Sequence, residues 1–138
     1  MPTIVLVTGR HRPHEVMFLI VSALGGGAFV LGAKPPTTVE QLFAPWLLWT
    51  WYLLLLGSGA IGLVSFLMPD TYRALVLELA AMVGQTTAPL LYGLALLASG
   101  VPAAGFAVAF FVGWACASAW RGWQVWRGMR VLQQAGVE

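Results

Sequence analysis

Glu78 and Gln85 stand seven residues apart within a long apolar run, a spacing that puts both on one face of a helix, two turns apart. A carboxylate there is costly unless it is paired, reaches water or handles protons. Glu78 therefore either bends toward an interface near Arg73 or pairs structurally, or else it serves a polar pore or a proton-linked pathway. Gln85, with Thr86 and Thr87 beside it, suits an interhelical hydrogen bond better than a substrate contact.

The other reactive side chains suggest less. His11 and His14 could share a metal, but no third ligand lies near in sequence, so they read as interfacial polar residues. Cys116 is the only cysteine, which rules out an intramolecular disulfide and a thiolate cluster; it reads as a small residue at a helix contact. No cofactor is expected. No apolar run carries a histidine, a pair of aspartates, or a serine with a base in reach, so enzymatic activity is not expected either.

Small residues carry a different message. The run from Gly57 to Gly62 matches the glycine spacing of a dinucleotide-binding loop, yet it lies inside an apolar stretch without the strand and acidic partner that such a loop needs. Its use is steric: Ser58 and Gly62, four apart, let a second helix approach closely. Gly105, Ala109, Gly113 and Ala117 repeat at the same spacing and form another close-packing face, with Phe106, Phe110 and Trp114 on the next stripe. That face serves packing within one chain or between copies, and a homo-oligomer is the expected partner. Further on, Trp120, Trp123 and Trp126 alternate with Arg121, Arg127 and Arg130, a set suited to anchoring at lipid headgroups; a docking surface for a soluble protein at the termini is the alternative.

The elements that position these residues are four apolar stretches with the few charges in the gaps between them. Apolar residues make up 59% of the 138 and charged residues 9%, too little charge to solvate the surface of a small soluble domain. A net charge of +2, clustered near the stretch ends, favours a lipid surface over nucleic acid. The expected fold is all-α: a single polytopic integral membrane domain over 1–138, four transmembrane helices in an antiparallel bundle, embedded in the lipid bilayer. The spans are expected at about 15–33, 42–68, 72–99 and 103–120, with 1–14 a cytoplasmic tail and 121–138 an interfacial or cytoplasmic extension.

Local signals place the breaks. Pro13 precedes or opens the first helix, and Gly25, Gly26 and Gly27 are expected to interrupt it. Its start resembles a secretory signal, but Phe29, Val30 and Leu31 continue the apolar run, so an uncleaved span is expected. Residues 34–40 form a connector in which Thr38 can cap the next helix; Trp46, Trp49, Trp51 and Tyr52 then suit an aromatic belt. Asp70 or Thr71 can cap the third helix, and Pro89 is expected to bend it while Thr86 or Thr87 satisfies the freed backbone. Ile4 to Val7 is too short to span and has no assigned role. With four spans, Arg10, Arg12, Arg73, Arg121, Arg127 and Arg130 share one side against Lys34 on the other, so both termini are expected in the cytoplasm, in a multi-pass protein of the cytoplasmic (inner) membrane.

The segments Arg12 to Ile20 and Ala119 to Gln124, together with the short-looped four-span layout, resemble small membrane proteins encoded by phages of actinobacteria. Such proteins are regarded as holin-like. The resemblance implies accumulation in the host cytoplasmic membrane and assembly of oligomeric lesions during host cell lysis, with no catalytic residues to carry over. The alternatives are a structural or accessory membrane subunit docking a partner protein, and a small proton-linked channel or transporter using Glu78.

Overall fold

Every described residue outside turns and short links is helical in the computed structural model, which describes residues 13–69 and 71–134. The elements are α1 (Pro13–Val30), α2 (Thr37–Leu42), α3 (Pro45–Leu67), α4 (Thr71–Ala98), a 3-10 turn (Pro102–Ala104) and α5 (Gly105–Gln134). Three are long and apolar enough to cross a membrane: Pro13–Val30, Pro45–Leu67 and Tyr72–Ala98. The chain is thus an all-helical, multi-pass membrane protein. The expected fourth span differs from these three. Its apolar part ends at Trp120, about 24 Å of rise from Gly105 at 1.5 Å per residue, and the helix then runs on through Arg121 to Gln134.

Large apolar side chains cover the outside while several polar ones are buried among the helices. Leu24 is 70% exposed and Phe106 86%, while Ser22, Ser58, Ser65, Glu78, Gln85, Ser118 and Arg121 are buried. Apolar side chains facing outward all along the helices, with polar ones inside, satisfy a hydrocarbon solvent.

Helix ends follow local chemistry. α1 stops at a Schellman turn: Ala33 N–H reaches Ala28 O at 2.9 Å, Gly32 N–H reaches Phe29 O at 3.1 Å, and Gly32 takes φ +100°, which glycine adopts without strain. The short α2 begins within the expected connector, at Thr37 after Pro36, and runs past it to Leu42; it has no side-chain cap, so Thr38 does not act as one. Extended Phe43 and Ala44 end α2, and Pro45 opens α3 at its first turn, which moves the start from the expected residue 42. Asp70, Ile4 to Val7, Arg10, His11, Arg12 and residues 135–138 lie outside the described residues.

Glycines set the helix spacing, and the expected break at Gly25–Gly27 is absent because α1 continues to Val30. A Cβ on Gly26 would stand 2.8 Å from Leu56 Cα, and one on Gly59 would stand 2.6 Å from Leu19 O. The two glycine-rich segments therefore face each other across α1 and α3, bringing backbone against backbone. Gly62 meets Leu19 and Ala81, while Gly84 meets Ser58, so the Ser58 and Gly62 face serves α1 and α4 together. Contacts run in opposite order along sequential neighbours: Leu19 with Gly62 and Phe29 with Trp51 for α1 and α3, Gly62 with Ala81 and Trp51 with Ala88 for α3 and α4.

One end of the bundle is aromatic. Trp51 and Tyr52 are buried with Val39 and Ala88 against Phe29, Phe43 and Tyr92, and Trp51 Nε1 donates to Ala88 O at 2.9 Å. Only Trp46 and Trp49 of the expected belt face outward. The division follows from 100° per residue, which cannot put 46, 49, 51 and 52 on one face. Pro89 leaves α4 unbroken, and Thr86 and Thr87 bond back to Met82 O and Val83 O at 2.7 and 2.8 Å, away from the carbonyl of Gln85 that a proline at 89 frees.

Candidate functional site

Gln85 lies fourteen residues into α4, about 21 Å along it at 1.5 Å per residue, and is among the most buried side chains. Its Oε1 accepts from Ser22 Oγ of α1 and from Trp114 Nε1 of α5, both at 3.2 Å, and its Nε2 donates to Ser58 Oγ of α3 at 3.0 Å. Ser58 passes its own proton to Leu55 O at 3.3 Å. Two donors converge on one atom and an acceptor faces the other, so the amide has a single orientation that satisfies all of them. One side chain thereby ties four helices together at mid-depth.

Two turns toward the start of α4, Glu78 meets Arg121. Arg121 Nε and Nη2 donate to Glu78 Oε1 at 2.8 and 2.7 Å, and Glu15 Oε2 of α1 lies 3.7 Å from the same Nε. Glu78 is 4% exposed and Arg121 8%. The sequence places Arg121 with the interfacial anchors; the structure turns it inward, because the helical period that puts Trp120 (59% exposed), Trp123 and Trp126 outside carries residue 121 to the α4 face. Glu78 is paired structurally. Arg127 and Arg130 remain outside, each guanidinium over an indole, at 4.7 Å from the Trp123 ring and 3.9 Å from the Trp126 ring.

A cavity of about 120 Å³ adjoins this cluster, bounded by Glu15, Phe18, Gln85, Trp114, Ser118 and Arg121, with the exposed His14 and Trp120 at its rim. Phe18 stacks on Trp114 at 4.4 Å between ring centroids, closing the seam between α1 and α5. Among the described residues, two carboxylates converge on this one guanidinium, so carboxylates outnumber cations in the cluster. It holds charge and shape without a nucleophile and base in contact.

The other positions named from sequence separate into two groups. Ser58 and Gly62 are inside. Gly105, Ala109, Gly113 and Ala117 all lie on the exposed side of α5, and a Cβ at Gly105 or Gly113 would meet nothing within 4 Å. Cys116 is also exposed, where a buried helix contact was expected. Sequence reasoning passed over Ser22 and the reach of Glu15, which stands at the edge of its helix. No known protein family, curated protein or solved structure matches this chain.

Proposed function

We propose that the chain is a four-span, holin-like protein of the cytoplasmic membrane, an antiparallel bundle with both termini on the cytoplasmic side, whose copies associate into lesions during phage-driven lysis of the host cell. The observation that carries this is the open face of α5. Gly26 on α1, Gly59 and Gly62 on α3 and Gly84 on α4 are taken up by packing within the chain, whereas Gly105, Ala109 and Gly113 face outward with Phe106 and Phe110 beside them. An exposed row of small residues at four-residue spacing lets a second helix approach closely in lipid. The clamp of Glu78 on Arg121 supports a fourth crossing, since a paired guanidinium need not leave the apolar interior.

Inducible expression in bacteria tests it, reading membrane potential together with release of a co-expressed cytoplasmic murein-degrading enzyme. Abrupt depolarisation with release is the expected result. Sustained potential despite verified insertion overturns it and moves attention to an accessory subunit. That second role is favoured by the outward Trp123 with Arg127 and Trp126 with Arg130, an aromatic and cationic surface on the exposed side of α5; it predicts a stoichiometric complex without leakage. A channel running protons through Glu78 is disfavoured, because two short contacts from Arg121 occupy its Oε1.

A further inference from the structure

The cavity beside Arg121 presents groups that helix packing leaves unused. Among the described residues Glu15 makes no hydrogen bond and has Arg121, at 3.7 Å, as its one ion-pair contact, and Arg121 gives its short contacts to Glu78. Ser118, 8% exposed, lines the same cavity with a hydroxyl that has no hydrogen-bond partner among the described residues. A buried polar group without a partner is uncommon and asks for one.

We infer that this cavity binds a small organic cation of the alkylammonium class, with Glu15 as its counter-ion and the aromatic lining of Phe18, Trp114 and Trp120 as its second contact. Charge selects the sign: two carboxylates against one guanidinium repel an anion and attract a cation. The lining selects the type. A metal cation of the calcium class takes 6–8 oxygen ligands, more than Glu15 and Ser118 supply, whereas ammonium groups are held by aromatic rings and a carboxylate. Size sets the limit, for a cavity of about 150 Å³ accommodates benzene, and one of about 120 Å³ takes a headgroup the size of tetramethylammonium. The same chemistry is borne by a free cation and by the ammonium of a phosphatidylethanolamine headgroup at the rim.

Full-length protein in a neutral sugar detergent, titrated with tetramethylammonium chloride while tryptophan fluorescence is followed, tests the site directly, with sodium chloride as the ionic control. Saturable quenching by tetramethylammonium alone is expected, weakened at least about tenfold in Glu15→Gln, the loss of one charged contact. Ala117→Phe, which fills the cavity from its exposed wall, should abolish it with the fold intact by circular dichroism. Phosphatidylglycerol nanodiscs with and without phosphatidylethanolamine separate the sources: competition by the latter assigns the site to the lipid headgroup, and equal binding assigns it to the free cation. Absence of saturation, an equal effect of sodium, or unchanged binding in Glu15→Gln overturns the inference.

Discussion

Replacing Arg121 by methionine removes the cation on which Glu78 and Glu15 converge. What remains is a Glu78 carboxylate whose side chain is 5% exposed, with its two short contacts gone. Breaking one side of such a pair costs about 3–5 kcal/mol, because the stranded charge keeps its desolvation penalty. Glu78→Gln is milder, about 1–3 kcal/mol, since the amide oxygen still accepts from Arg121 and Glu15 stays 3.7 Å away. Removing both charges exchanges the pair for neutral groups, which is close to neutral in comparable buried pairs. The double variant Arg121→Met with Glu78→Gln should therefore be more stable than Arg121→Met alone, with a coupling of about 2 kcal/mol or more. Reversible unfolding in mixed micelles by added dodecyl sulfate, followed by far-ultraviolet circular dichroism, measures all four proteins. If Arg121→Met costs less than about 1 kcal/mol, within the range of an exposed ion pair, or if the two losses simply add, then the buried cluster does not hold the bundle as argued.

Five further substitutions probe the remaining contacts. Gln85→Leu removes three interhelical bonds at about 0.6 kcal/mol each, so the same unfolding assay should show a loss of about 2 kcal/mol, and a neutral result would mean the network is not formed. Gly59→Val forces α1 off α3 and should cost about 1–3 kcal/mol as overpacking, whereas Gly113→Ala meets nothing and should gain up to about 1 kcal/mol of helix propensity. Gly113→Leu should leave monomer stability unchanged while lowering cross-linked oligomer yield and delaying depolarisation; unaltered oligomers would remove the α5 face from the association. Trp51→Phe drops the bond to Ala88 O and should destabilise by about 0.6–1.7 kcal/mol, with the loss expressed first at the aromatic end in hydrogen exchange of α2.

The helical, multi-pass character was legible from four apolar stretches and their breaks, and Ser58, Gly62 and Gln85 were legible from spacing and depth. What escaped was pairing between stretches, which periodicity within one helix cannot express. A signal did exist. Glu78 and Arg121 are equally far from the Ser99–Gly100 turn, and so are Gln85 and Trp114, so folding the chain back at that turn lays each pair side by side. Arg121 was grouped with its sequence neighbours because composition near a membrane end suggests anchoring, while the rotation of 100° per residue separates it from Trp120 and Trp123. Gly25–Gly27 misled for a related reason. Glycine weakens an isolated helix, but at Gly26 the Leu56 backbone takes up the space a Cβ would fill, and there the lost propensity is returned as contact.

Residues 103–120 read as a fourth apolar stretch, and the burial of Arg121 against Glu78 supports the proposal that α5 crosses the membrane. An arginine that ends an apolar stretch reads as a boundary when its charge must find water. In α5 the guanidinium instead finds Glu78 at 2.7 Å. Neutralised in place, residue 121 no longer marks where the helix leaves the apolar layer, and the outward indoles of Trp120, Trp123 and Trp126 can mark it instead. The proposed fourth crossing thus rests on a single pair, and it couples topology to stability. A substitution that strands Glu78 should loosen α5 from α4 and also shift the position of the C-terminal segment. Cysteine labelling at residues 124 and 133 before and after Arg121→Met would register that movement, and identical accessibility in both proteins would separate the two effects.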